Sequence, residues 1–416
     1  MWEHVRDLKL LYVAKLVRTT SYSGVAIVLA SYLVLKGLST LQVGVVFSAA
    51  TAGGLAVTLA LPTILGALGF SRAVRLLPLL IVFSGLLLLL AHNFLLFLVA
   101  SFTGLISVTQ TESGVFQALD QVIASEYAGE KRVTAALSVY NATGYAGSAV
   151  GAGLVSLAGF LLPEASAQMA VLLFYCATGL AVLVLYSFFD VGRLTAALEK
   201  PTGVFRTLSH EKRLITLTGL FGVDAFAGSL VAPSWLSYWF QTTFKIGVGE
   251  VGLIFFAAST VSSLSLLIAP LIAKRIGLVK TMVYSHLPSN VILLAIPFSG
   301  SLALATALYW LRQTLSQMDV PTRQALVMLI VSKEKKAAAA SATTSVRSIS
   351  QIAGSPVTGS LFELSFPALA FVAGGLIKIA YDISLLYHMR GILDVGRDSP
   401  RSESERLQDP FEKRFI

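Results

Sequence analysis

Apolar runs long enough to cross a bilayer follow one another along almost the whole chain, separated by short polar turns. About 20 apolar residues span the hydrocarbon layer of a membrane. On that rule the pattern predicts twelve spans, near 10–35, 41–67, 74–91, 94–122, 134–161, 167–189, 213–241, 248–273, 279–298, 301–328, 338–362 and 367–390. The longest polar stretch between runs, 190–213, falls between the sixth and seventh. It divides the chain into an N-terminal six-helix bundle over 1–190, a cytoplasmic linker over 191–212 and a C-terminal six-helix bundle over 213–391. Residues 392–416 mix both charge signs and read as a flexible cytoplasmic tail. The first apolar run is too long for the core of a cleaved leader and lacks a cleavage-like end, so it counts as the first span.

Residues 42–72 and 250–280 are one segment written twice. Aligned without a gap, they share Val43 with Val251, Gly44 with Gly252, Phe47 with Phe255, Ala49 with Ala257 and Ala50 with Ala258. Leu59 matches Leu267, Pro62 Pro270, Ile64 Ile272 and Gly69 Gly277. A repeat of half a chain, built from membrane helices, is the construction of many secondary transporters.

Composition agrees: the chain of 416 residues is 55% hydrophobic and 13% charged, with mean hydropathy +0.77. A soluble domain with so little polar surface could not cover itself. The net charge of +9 does not indicate nucleic acid, because Lys and Arg sit in short loops between apolar runs and not on one domain. With Cys176 as the single cysteine, no internal disulfide forms. Of the 31 Lys and Arg, only Lys36 and Lys245 would lie outside if the N-terminus is cytoplasmic. Lys15, Arg18, Arg312, Arg323, Arg347 and Lys378 lie within spans, and the rest fall in cytoplasmic segments. That asymmetry predicts a multi-pass protein of the cell membrane with both termini inside.

The spans, the parallel halves and the basic central loop resemble the major facilitator superfamily over nearly the whole chain. That family carries, after its second span and more weakly after its eighth, a small residue, an Asp-Arg pair, a glycine and basic residues. Here the loops read Gly66-Ala67-Leu68-Gly69-Phe70-Ser71-Arg72 and Lys274-Arg275-Ile276-Gly277. Gly69, Arg72, Lys274, Arg275 and Gly277 would thus belong to the gating loops, while Gly66 and Lys274 replace the acidic residue. The fifth span, with Gly144, Gly147, Gly151, Ala152 and Gly153, is similar to the family's antiporter signature, and the eleventh has Gly354-Ser355-Pro356. Gln110, four residues before Gly114, stands where proton-coupled relatives have Arg. The segment 318–324 is similar to the tenth span of multidrug-efflux-like members. The resemblance implies a major facilitator fold, all-α and polytopic, with twelve transmembrane helices in two pseudo-symmetric bundles.

It also implies that spans one, four, seven and ten line the cavity. Those spans carry Arg18, Glu112, Asp120, Asp224, Arg312, Asp319 and Arg323, and Arg347 sits mid-depth in span eleven. Charges at that depth are retained when paired, wet or useful, so these residues are the candidates for substrate or proton coupling. Depth predicts two pairs, Asp224 with Arg312 and Arg18 with Glu112. Arg312, Ser316, Asp319 and Arg323 follow helical spacing on one face, which Pro321 should bend. Lys378 and Asp382 should neutralise each other one turn apart, and Lys15 should snorkel to the inner surface. Tyr22, Gln110, Gln117, Tyr140, Trp235, Trp310 and Gln313 are candidate cavity linings.

The five histidines are scattered and form no metal set, and no nucleotide-binding loop or catalytic triad is present. The chain therefore reads as no enzyme and needs no cofactor. The expected function is that of a monomeric carrier with a small-molecule substrate, driven by protons across the lipid bilayer and working by alternating access. Efflux of amphipathic compounds by proton antiport is the first expectation. Uptake or exchange of an organic anion through an Arg-lined cavity is the alternative, and a transport-inactive receptor or scaffold is a weaker one.

Overall fold

The computed structural model describes residues 2–103, 105–111, 114–128, 133–189, 212–331 and 336–389. The linker and the tail expected from the sequence lie outside them, apart from Lys212. The described chain is helical, in the order α1 (Trp2–Leu35), α2 (Thr40–Leu68), α3 (Phe70–Leu76), α4 (Leu79–Leu90), α5 (Phe94–Thr103), α6 (Val115–Ala128), α7 (Val133–Leu161) and α8 (Glu164–Ser187). The second half continues with α9 (Lys212–Leu230), α10 (Pro233–Phe244), α11 (Val248–Ile276), α12 (Leu278–Ala295), α13 (Leu302–Ser316), α14 (Asp319–Ile330), α15 (Lys336–Glu363) and α16 (Ala368–His388). Eight segments among the described residues are long and apolar enough to cross a membrane. The expected twelve is not reached by that measure, because α5, α6, α13 and α14 are short and α1 and α15 are richer in polar residues.

The repeat in the sequence is a repeat in structure. At the start of α2, Ser39 Oγ accepts from the Gln42 amide and Gln42 Oε1 accepts from the Ser39 amide, a reciprocal cap. At the equivalent place in α11 only half of that cap exists, with the Gly247 amide donating to Glu250 Oε2 at 3.1 Å. Both helices end on the matched glycines, Gly69 at φ 75° and Gly277 at φ 91°, a backbone region costly for other residues.

Each copy packs on a helix of the other half, α2 along α15 and α11 along α7. A Cβ on Gly44 would lie 2.5 Å from the Ser355 carbonyl oxygen, and one on the matched Gly252 would lie 2.5 Å from the Ser156 amide nitrogen. Glycine permits these approaches because it has no side chain to intervene. Hydroxyls add bonds across the same seam: Thr40 Oγ1 to the Gly359 carbonyl (2.9 Å), Ser48 Oγ to Ile352 (2.5 Å) and Ser237 Oγ to Ile27 (2.6 Å). The buried positions of α2 crowd into 43–53 and those of α11 into 248–265. Beyond them only Leu61 and Ala269 are buried. The halves therefore meet at the end holding the 36–39 turn and part toward the end holding Gly69 and Gly277.

Several long apolar segments are interrupted. Residues 105–111 are not helical, and Leu105 (φ 55°) and Gln110 (φ 62°) adopt left-handed backbone. Their carbonyls are used by neighbours, Val108 accepting from Ser234 Oγ at 3.0 Å and Gln110 from Ser148 Oγ at 2.8 Å. The chain breaks again at Val231–Ala232 and at Gln317–Met318. The last break corrects the expected bend at Pro321. That proline lies in the first turn of α14, where no intrahelical partner for its missing N–H is needed. Arg312 and Asp319 consequently stand on different helices and not on one continuous stripe.

Candidate functional site

Two groups of charges are buried at the depth of these breaks, one in each half. In the first, the Arg18 guanidinium is fully buried and pairs with Asp120. Arg18 Nη1 also donates to the Tyr186 hydroxyl at 2.5 Å, while Tyr186 and Tyr140 donate to the Asp120 carboxylate at 2.7 and 3.1 Å. The guanidinium lies 4.8 Å from the Phe116 ring centre. The expected partner Glu112 lies outside the described residues, and the carboxylate that meets Arg18 is Asp120. Lys15 does not snorkel: it is buried, with Nζ 4.4 Å from the Tyr140 ring centre. A carboxylate and a guanidinium so enclosed satisfy each other, as burial of either charge alone would be costly.

The second group centres on Asp224, buried in α9. Lys378 Nζ approaches its carboxylate at 2.5 Å, Arg347 Nη1 at 3.0 Å, Arg323 Nη1 at 3.6 Å and His286 Nε2 at 4.0 Å. Arg323 also pairs with Asp319 at 2.8 Å. The other face of the imidazole meets Asp382, with Nδ1 at 2.9 Å from Oδ1, and Asn290 Nδ2 donates to Oδ2 at 2.8 Å. Lys378 and Asp382 thus turn to different partners and do not neutralise each other. Side-chain exposure orders the cluster: Arg347 keeps 22% and Arg323 14%, while Lys378 keeps 7% and Asp382 1%. The arginines are its more exposed members, and the lysine, histidine and second carboxylate its more buried ones. In the sequence His286 stands only as one of five scattered histidines, and Lys378 is matched with Asp382 on its own helix. Only their burial among opposite charges reveals them.

Arg312 does not join Asp224 as expected. It is partly buried, donates from Nη1 to Gln313 Oε1 at 3.1 Å, and its Nε has no hydrogen-bond partner among the described residues. Among them, too, no carboxylate stands within ion-pair distance of it. Gln313 is shared with Ser316, whose hydroxyl donates at 2.9 Å, and Tyr309 lies one turn away, buried. Beside these, Tyr145 of α7 donates to Gln317 Oε1 at 3.3 Å across the halves, just past the end of α13.

The other candidate linings disperse. Tyr22 is buried against Tyr175 in the first half, Gln110 donates to Ser23 Oγ at 3.0 Å and Gln117 is partly buried. Trp235 is buried in the seam, 5.3 Å from Phe362 and 5.1 Å from Phe47 of the other half. Trp310 lies on the flank of α13, its indole N–H donating to the Ile254 carbonyl at 3.0 Å. Gly69, Arg72, Lys274, Arg275 and Gly277 all lie at the end where the halves part.

The family model of the Major Facilitator Superfamily matches residues 11–355. An uncharacterized membrane protein of Saccharomyces cerevisiae, YJR124C, is 22% identical over 424 residues, which cover 93% of this chain and 95% of the yeast protein. In structure the chain is similar to a substituted form of the nucleoside transporter NupG, with TM-score 0.73 and 15% identity over 92% of this chain and 99% of that one. It is also similar to a bacterial homologue of the human lysosomal transporter Spinster in an inward-facing, occupied conformation, with TM-score 0.71 and 13% identity over 96% and 100% of the two chains.

Proposed function

The chain belongs to the Major Facilitator Superfamily, a family of multi-pass membrane transporters and not of enzymes, and on that premise we propose that it carries a small organic anion by alternating access. The observation behind this reading is Arg312. Among the described residues every other cation of the second cluster has a carboxylate, whereas Arg312 offers a guanidinium and a buried N–H with no partner there. A buried donor left unmade costs about 1–3 kcal/mol, and a guanidinium matches the two oxygens of a carboxylate or phosphate. Arg18, a candidate for substrate or proton coupling in the sequence, is committed to Asp120 and takes no part.

The broken segments each complete a span on this reading, which restores the count of twelve in two bundles joined by the 191–212 linker. The carrier works as a monomer in the cell membrane. With the termini cytoplasmic, as the distribution of Lys and Arg supports, the structure is closed outside and open inside. Efflux of amphipathic compounds by proton antiport is the less favoured alternative, since a cation exporter gains nothing from an unpaired arginine in its cavity.

Proteoliposomes under an imposed pH gradient test the choice. Labelled benzoate or phenyl phosphate should enter saturably, and Arg312→Gln should abolish that entry while leaving the protein folded. Movement of ethidium with no movement of either anion would return the efflux reading.

A further inference from the structure

A cavity of about 590 Å³ lies at the end where the halves meet, and no residue of either charge cluster lines it. Its walls come from both halves. The first gives Val34 and Leu35 at the end of α1 and Glu164 at the start of α8. The second gives Tyr238 of α10, with Lys245 and Ile246 just beyond that helix. The floor is the seam itself. Gln241, buried there, donates from Nε2 to Ser237 Oγ at 3.1 Å, and Ser237 in turn donates to the Ile27 carbonyl of the other half at 2.6 Å. Ser31 of α1, also in the lining, accepts from Gln168 Nε2 at 3.2 Å.

The cavity holds one acid and one base, Glu164 from the first half and Lys245 from the second. Both are exposed, and neither side chain makes a hydrogen bond or an ion pair with another of the described residues. Glu250, the next acid along, is turned to the Gly247 amide at 3.1 Å. Lys245 closes α10 with left-handed backbone (φ 54°), a place that glycine ordinarily fills. The other walls are apolar, made by Val34, Leu35, Ile246 and the Tyr238 ring, which is set 5.2 Å from Phe362 and 6.3 Å from Trp235. The volume suits a small molecule, since such sites measure roughly 300–1,000 Å³. A ligand with a single charge meets one opposite and one like charge here. A ligand with both charges, held apart by an apolar body, meets an opposite for each.

We propose that this cavity binds a small dipolar amphiphile, with an ammonium and a carboxylate at the two ends of a short alkyl chain. The ammonium lies on Glu164, the carboxylate on Lys245, and the chain on Tyr238 and Ile246. Because its ends are held by different halves, the ligand bridges the seam at its closed end. It favours this arrangement over one in which the halves part there, as any ligand favours the state it contacts better. The site is separate from Arg312, and the inference does not depend on the anion reading.

The probe is ε-aminocaproate, with caproate and hexylamine as single-charge controls, on the purified full-length protein at neutral pH and low salt. Equilibrium dialysis should show saturable binding of radiolabelled ε-aminocaproate. Each control should bind at least about fivefold more weakly, the size of one lost exposed ion pair. Glu164→Gln and Lys245→Gln should each weaken ε-aminocaproate by about the same factor, and neither change at so exposed a position threatens the fold. The exchanged double variant, Glu164→Lys with Lys245→Glu, should bind it nearly as wild type does, because the ligand turns round. With spin labels at positions 36 and 365, saturating ligand should add no longer component to the distance distribution. Absence of saturable binding, equal affinity for the three probes, or a double variant as weak as either single one overturns the site. A longer distance with ligand bound overturns the bridging.

Discussion

A buried carboxylate with three cations around it is stable only as a set. Replacing Asp224 by Asn leaves Lys378 and Arg347 enclosed without their shared counter-charge. Removing one partner of a buried pair typically destabilises by about 3–5 kcal/mol. The Asp224→Asn protein should therefore melt well below wild type in a detergent thermal-shift measurement, and a second change, Lys378→Met, should recover part of the loss. An unchanged melting temperature would mean that the cluster is wetter than its burial indicates. At this scale the sequence was informative about which residues matter and silent about which meet. Arg18, Asp120, Asp224, Arg323 and Arg347 all stood out as charges in apolar runs, and all are in a cluster. Their pairing was not legible, because Asp224 draws Arg347 and Lys378 from helices over 100 residues away in the chain. Depth along a span says nothing of the direction in which a side chain leaves it.

Among the helices, turns and repeat boundaries were legible and interruptions were not. Gly69 and Gly277 end their helices as matched glycines should. The break at 105–111 left a signal that apolar counting ignores: a run of Ser107, Thr109, Gln110 and Thr111 ahead of Gly114, residues that bond to local backbone and so compete with helix. Pro321 misled for a complementary reason, since a proline in a first turn marks a start and not a kink. Pro321→Ala should therefore change stability by less than about 1 kcal/mol and leave the break at Gln317–Met318 intact, as measured by chemical unfolding and by spin-label distances across it. The seam helices are less forgiving. Gly44→Ala and Gly252→Ala each place a methyl within 2.5 Å of opposing backbone. Either change should push the halves apart at the 36–39 end, lengthening the distance between labels at positions 36 and 365 in pulsed electron resonance. Identical distance distributions in wild type and both variants would show that the helices slide to absorb the methyl.

For the molecule as a whole, the two-fold relation of the halves applies to the backbone and not to the charges. The matched contacts Gly44–Ser355 and Gly252–Ser156 repeat across the seam, whereas among the described residues the first half buries the Arg18–Asp120 pair and the second an extended cluster near Arg312, which has no carboxylate within ion-pair distance. On the proposed reading, recognition and rocking fall to different parts of the molecule. Among the described residues the seam is made of glycines, carbonyl oxygens, hydroxyls and the Trp235 and Phe47 rings, with the charged Glu363, which accepts from the Leu41 amide, at its exposed rim. Ions in solution have little to act on there. Between about 0.1 and 1 M salt the screening length falls from roughly 10 to 3 Å, yet the distance between labels at 36 and 365 should not move. A carrier whose closure is electrically silent would hold the same balance between its open and closed forms in fresh water and in brine.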